Sequence, residues 1–170
     1  MPFDVFIEAF MERERTGEDA AWTGYLAQYG LLDDVPSLND DLKPPLIFTR
    51  SGRGDEWRTN LWIGTEGTFT PIHRDPYHNL FCQVVGIKQI SVFPPSASAQ
   101  LYLSPSHLQR NTSVIPCPNP DPEAYPLFYS ALKDSWQVTV QPGEILFIPR
   151  GFYHSVQSLS KSISVNSWFL

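Results

Sequence analysis

The stretch Thr70–Lys88, TPIHRDPYHNLFCQVVGIK, decides how the rest of the chain is read. His73 and Asp75 stand two residues apart beside Pro71 and Pro76, and an alternating run, Gly86 and Lys88 follow at once. Side chains at i and i+2 of a strand share a face, so the imidazole and carboxylate of H-x-D can reach one ion. A third ligand is needed. His154 is the candidate, just after the strand-like EILFIP run and a turn over Pro149–Gly151.

Two histidines and one carboxylate with positions left open form the facial arrangement of non-haem Fe(II) sites. Zinc more often recruits a further histidine or a thiolate. An H-x-D pair alone is a poor predictor of metal, and here it gains weight only if the chain brings both strand ends to one barrel mouth. His78, five residues after His73, points away in a strand, and His107 lies in a proline-rich stretch, so both read as surface or supporting residues. Lys88 lies in the apolar run VVGIKQISVF. Facing inward, its ammonium is costly without an anion and implies a bound carboxylate or phosphate. Facing solvent, with Ile87 and Ile90 turned inward, it implies nothing. The residues alone leave both open.

Segments rich in β-branched and aromatic residues recur on either side: 46–50, 59–64, 68–73, 79–85, 87–93, 136–140, 144–149, 153–158 and 162–169. Gly52-Arg53-Gly54, Gly64, Gly67, Gly86, Pro94-Pro95, Pro142-Gly143 and Gly151 punctuate them. Such spacing predicts an all-β sandwich or barrel. Residues 94–135 break the rhythm as a long proline-rich insertion, either a functional loop or lid or an ordered connector. Upstream, Phe3, Phe6, Ile7, Phe10 and Met11 recur at helical spacing and predict an amphipathic packing helix over 2–15. The aromatics of 20–29 favour a strand, and 30–45 reads as an irregular turn or short helix. Asp33, Asp34, Asp40 and Asp41 lack the glycine and terminal glutamate of a calcium loop and read as a solvated acidic face.

Composition bounds the function. A chain of 170 residues suits one domain with one core. Its 42% hydrophobic content and mean hydropathy of -0.22 are those of a soluble protein, while 14% aromatics and 16 prolines favour short strands and turns over long helices. A net charge of -6 and a pI near 5.1 argue against direct nucleic-acid binding and suit a basic peptide partner. Two cysteines, Cys82 and Cys117, make neither a disulfide framework nor a zinc site. Neither a signal peptide nor a membrane span is visible, so the expected location is intracellular, nucleus and/or cytoplasm.

Several longer segments resemble one family. They are GYLAQYGLLDDVPSL (24–38), NLWIGTEGTFTPIHRDPYHNLFCQVVGIKQISVFPP (60–95), LYLSPSHLQRNTS (101–113), NPDPEAYPLF (119–128), PGEILFIPRGFYHSV (142–156) and SISVNSWF (162–169). Together they resemble the jumonji C (JmjC) family of Fe(II)- and 2-oxoglutarate-dependent oxygenases, and within it the small arginyl- and asparaginyl-hydroxylase branch. The resemblance implies a double-stranded β-helix, cupin-like core. It implies a single domain over 1–170: a helical or irregular portion over 1–45, then the core over 46–170 with the insertion at about 94–135. It implies that His73, Asp75 and His154 hold Fe(II) and carry catalysis. Lys88 would pair with the distal carboxylate of 2-oxoglutarate, helped by the hydroxyls of Tyr25 and Thr70. Asn79 and Asn166 would line the same pocket, and Trp62 would lie near metal and substrate.

Thr70 falls three before His73 and needs a local twist or bulge to share its face. Phe152-Tyr153 replaces the family's paired tryptophans, and Ile115-Pro116 stands where an acidic residue is usual, which bears on substrate recognition rather than on metal. The expected activity, with O2 as second cosubstrate, is hydroxylation of a protein side chain with release of succinate and CO2. N-methyl-lysine demethylation by the same oxidant is the alternative. A non-catalytic metal-binding cupin or interaction module is the alternative of another class, disfavoured because the triad and Lys88 are all present. Ending after the last strand, the chain is expected to be a trimmed or naturally minimal domain, and a monomer.

Overall fold

The computed structural model describes residues 1–14, 22–41, 56–116 and 118–170. The sequence segment 46–50, the Gly52-Arg53-Gly54 punctuation and Cys117 lie outside those residues. Near the N-terminus, α1 (Phe3–Phe6) runs into a π-helical turn over Ile7–Glu12. Then come β1 (Tyr25–Tyr29), α2 (Leu31–Asp34) and α3 (Leu38–Asp41). The core strands follow: β2 (Glu56–Gly64), β3 (Phe69–Arg74), β4 (His78–Val85) and β5 (Lys88–Phe93). After a 3-10 turn (Pro95–Gln100) and α4 (Pro126–Lys133), the chain closes with β6 (Trp136–Val140), β7 (Ile145–Ile148), β8 (Tyr153–Ser158) and β9 (Ser162–Phe169). The predicted segments in the described second half appear as strands within two or three residues at either end.

These strands form a five-stranded sheet, β1-β2-β9-β4-β7, and a four-stranded sheet, β3-β8-β5-β6, paired antiparallel throughout. From β2 to β5, and again from β6 to β9, each successive strand changes sheet. That winding is the double-stranded β-helix, as expected. Period-2 alternation explains the space between the sheets: Phe81 and Ile148 of one meet Ile90, Val92, Val140 and Val156 of the other. Truncating one such buried aliphatic residue to alanine costs about 2–5 kcal/mol.

The outer face of the larger sheet is covered from the N-terminus. Phe6, Ile7 and Met11 pack on a cluster built from Leu31, Leu61, Ile63 and Val165. The helical stripe is therefore packing surface. Lys161 Nζ donates to the carbonyls of Met11 (3.0 Å) and Arg13 (2.8 Å), satisfying acceptors that the helix end leaves open.

Between β5 and β6 the chain builds a second core. Ala97, Leu101, Ile115, Phe128 and Ala131 close on Ile72, Phe93 and Tyr153 of β3, β5 and β8. Residues 111–113 run beside the free edge of β3: Ser113 N donates to the Ile72 carbonyl (2.7 Å) and Arg74 N to that of Asn111 (3.0 Å). An edge that would otherwise expose unpaired backbone groups is thereby covered.

Gly86 sets the β4–β5 turn. Its φ is +73°, and a Cβ built there would lie 2.0 Å from the Lys161 carbonyl oxygen, a backbone atom that cannot swing aside. Both the positive φ and the contact exclude a side chain. Gly86→Ala is expected to destabilise the fold by roughly 2–4 kcal/mol, read as a lowered urea midpoint at unchanged slope.

Candidate metal and cosubstrate site

β3 and β8 position the three predicted ligands. Along this pair Thr70 faces Val156 and His73 faces His154, so β3 carries one extra residue between Thr70 and His73. Of the twist or bulge that the spacing called for, the structure has a bulge, and it lets Thr70 and His73 line one pocket despite their odd spacing. Pro71, which donates no backbone hydrogen bond, occupies the bulge on an edge strand, where it is tolerated. Its carbonyl accepts from His73 Nδ1 at 2.8 Å, which leaves Nε2 as the ring nitrogen on the Asp75 side. Such a second partner holds a ligating imidazole in one tautomer.

Asp75 lies one residue beyond the end of β3, on the turn into β4. Its Oδ1 is 3.9 Å from His73 Nε2 and its Oδ2 3.7 Å from His154 Nε2. One potential ligand atom from each of the three residues falls within 4.8 Å of the others. Burial, with the nearby His73 charge adding to it, holds His154 well below the usual histidine range, so its imidazole is neutral. Burial also raises Asp75, against the opposing pull of His73 and of the Trp168 indole nearby. Asp75 Oδ2 and His154 Nδ1 are buried without hydrogen-bond partners. Two imidazoles, that of His154 held neutral, and a carboxylate with an orphaned oxygen are the donor set a divalent cation needs, so the residues fit Fe(II). His78 packs against the rings of Phe147 and Phe169 and accepts from Arg150 N, and His107 is exposed; neither joins the group.

Lys88 faces inward at 0% exposure, in register with Ile90 and Val92. Its Nζ has no hydrogen-bond partner and meets the ring faces of Phe81 (5.6 Å) and Tyr25 (5.9 Å). Tyr25 OH and Thr70 Oγ1 share a hydrogen bond of 2.9 Å, joining β1 to β3. Tyr25, Thr70, Phe81, Asn79, Asn166 and Trp62 line the same solvent-open pocket as the His–Asp–His group. Every predicted site residue except Lys88 contributes to its wall. Lys88 stands directly behind two of the lining rings.

Sequence reasoning missed Asn60 and Trp168. Asn60 is fully buried and donates to Asn166 Oδ1 (3.4 Å); Trp168 lines the pocket and stacks with Tyr77. The signal was available, because Asn60 is two residues from Trp62 and Trp168 two from Asn166, each pair sharing a strand face.

A double-stranded β-helix carrying two histidines and a carboxylate at one mouth defines a class of cupin-type metal domains. The family described as "Cupin-like domain" matches residues 1–170, and the chain belongs to it, as a domain of the JmjC type. It is 34% identical over 191 residues to JmjC domain-containing protein F of Dictyostelium discoideum, covering 97% of this chain and 40% of that protein. It is 37% identical over 166 residues to Lysine-specific demethylase 8 of Danio rerio (97% and 40%). To Lysine-specific demethylase JMJ30 of Arabidopsis thaliana it is 34% identical over 166 residues (97% and 38%). The chain thus spans about two fifths of the length of these curated relatives.

Burial lowers the Lys88 pKa to about 8, against 10.5 ordinarily. The unfolded chain then binds more protons than the folded one between these values, so the Lys88 contribution to stability rises with pH across that window. Below pH 8 the full cost of the buried charge, roughly 3 kcal/mol, is present. Cys82, pushed up to about 12 by burial, and Tyr25, also raised, act in the opposite sense above pH 9. The difference between variant and wild type isolates the lysine. In the metal-free protein Lys88→Met should be the more stable at pH 7 by roughly 3 kcal/mol, with the gap closing towards pH 10.5 in urea unfolding.

Proposed function

We propose that this chain is the catalytic domain of an Fe(II)- and 2-oxoglutarate-dependent oxygenase that hydroxylates a protein side chain. The observation that carries the proposal is the pairing of a His73–Asp75–His154 group with a fully buried, unpartnered Lys88 behind the same pocket. A metal-binding module without cosubstrate has no physical need for that ammonium. An oxygenase that takes a dicarboxylate does.

His73 and His154 would hold the iron through Nε2, with Asp75 supplying the carboxylate. When bound, Fe(II) supplies the redox chemistry that couples O2 and the decarboxylation of 2-oxoglutarate to succinate with oxygen insertion into a substrate C–H bond. The chain's own residues bind, orient and exclude water. Lys88 neutralises the distal carboxylate of 2-oxoglutarate. Tyr25 and Thr70 fix that end by hydroxyl hydrogen bonds, and Asn79 and Asn166 supply amide contacts. Phe81, Val156 and Trp168 keep the cavity apolar, and Trp62 lies towards the substrate. No general base is required, so pocket geometry matters more than proton transfer.

A protein substrate is supported by the relatives, two of which are called lysine-specific demethylases. The acidic net charge of -6 suits a basic peptide. Demethylation is the second reading: hydroxylation of an N-methyl carbon yields a product that releases formaldehyde, so the same pocket serves both. Among the described residues no helix is long and apolar enough to cross a membrane. We place the reaction inside the cell, in nucleus or cytoplasm, on a monomeric domain.

His73→Ala and Asp75→Ala should each abolish succinate formation from 2-oxoglutarate; turnover persisting in both variants removes the assignment. Mass spectrometry of a peptide library after turnover separates the two outcomes, a gain of one oxygen for hydroxylation against loss of a methyl group for demethylation. Anaerobic addition of Fe(II) and then 2-oxoglutarate should produce a weak visible charge-transfer band, and a spectrum left unchanged by 2-oxoglutarate points to a metal module instead.

A further inference from the structure

Two carboxamides, Asn79 and Asn166, line the pocket, and an amide can present either its carbonyl or its NH2 to a ligand. Which end faces the cavity decides whether that wall attracts a carboxylate. Trp62 removes the ambiguity, because an indole N–H only donates. Its Nε1 lies 2.6 Å from Asn166 Oδ1, so that atom must be the oxygen. Asn166 Nδ2 then donates to Asn79 at 3.1 Å, which makes the receiving atom Asn79 Oδ1. Asn79 is left with its NH2 as the group free to face the pocket it lines.

Asn60 supplies an independent observation. Fully buried, it sends its own NH2 to the same Asn166 Oδ1 at 3.4 Å and leaves its carbonyl oxygen without a partner. An orphaned buried carbonyl is costly. Rotating Asn60 would set its oxygen against the Asn166 oxygen, so the arrangement keeps two donors on one acceptor.

We infer that Trp62 is a positioning residue whose indole N–H, through Asn166, fixes the polarity of Asn79 so that the pocket offers an amide donor to an anionic cosubstrate. The inference rests on the assignment of this pocket to 2-oxoglutarate. It gives Trp62 a role distinct from contact with the protein substrate: Trp62 acts on cosubstrate binding even when no substrate is present.

The test combines exchange and binding on the protein as given. In the wild type the Trp62 indole proton should exchange slowly with solvent by 15N-resolved NMR; rapid exchange overturns the relay without any variant. Trp62→Phe keeps the ring and removes the N–H. Binding of 2-oxoglutarate to the Mn(II)-loaded protein without substrate should weaken about five- to tenfold, the effect of one lost hydrogen bond. Mn(II) affinity alone, read by electron paramagnetic resonance, should change less than twofold. Unchanged 2-oxoglutarate affinity overturns the relay, and an equal loss of Mn(II) affinity reduces Trp62 to general packing and overturns it as well. Wild-type protein that binds Mn(II) and fails to bind 2-oxoglutarate overturns the cosubstrate assignment itself, and the inference with it.

Discussion

Lys88 carries an ammonium into the space between two β-sheets, where aromatic faces meet it and no hydrogen-bond acceptor does. A charge in that position is among the more expensive features a small domain can hold. Strand β5 nevertheless keeps it there, in step with Ile90 and Val92. A one-residue slip would turn the lysine outward and Ile90 and Val92 with it, so burial of those aliphatic residues holds the charge in place. The turn at Gly86 sets that register, tolerating no side chain against the Lys161 carbonyl.

The metal-ligand group is held with similar economy. One bulge in β3 puts Thr70 and His73 on the same wall, and the proline in it gives the carbonyl that orients the histidine. The chain between β5 and β6 packs its own core against β3 and β8, then pairs residues 111–113 with the outer edge of β3. The strand that carries His73 is therefore braced on both sides. Burial keeps His154 neutral and leaves Asp75 with an open oxygen, and a cation relieves both conditions.

Asymmetry of polarity completes the pocket. One end gathers imidazoles and a carboxylate, suited to a cation. The wall lined by Tyr25, Thr70, Asn79 and Asn166 carries hydroxyls and carboxamides, with the Lys88 ammonium against the Tyr25 and Phe81 rings, and is suited to an anion. A small dicarboxylate that bridges metal and lysine fits this polarity, whereas a neutral ligand would leave both charges unanswered.

Much of the fold was legible from local pattern. Period-2 runs located β3 to β9, and glycines and prolines marked their ends, because strand alternation and turn chemistry act between near neighbours. The H-x-D spacing named two candidate ligands, and the Thr70 offset called for a local twist or bulge. Other features depended on pairing between distant segments. The sequence could not say which way Lys88 faces, since both registers of VVGIKQISVF bury some aliphatic residues; the sheet against which β5 packs made the choice. His154 meets His73 only because β8 lies beside β3. Asn60 and Trp168 looked like ordinary strand residues until β2, β9 and β4 came together, which set Asn60 against Asn166 and put Trp168 in the pocket wall. The sequence alone determined element type and the chemistry available at each face. Tertiary structure decided which faces meet, because cross-strand register is settled by burying both sheets at once.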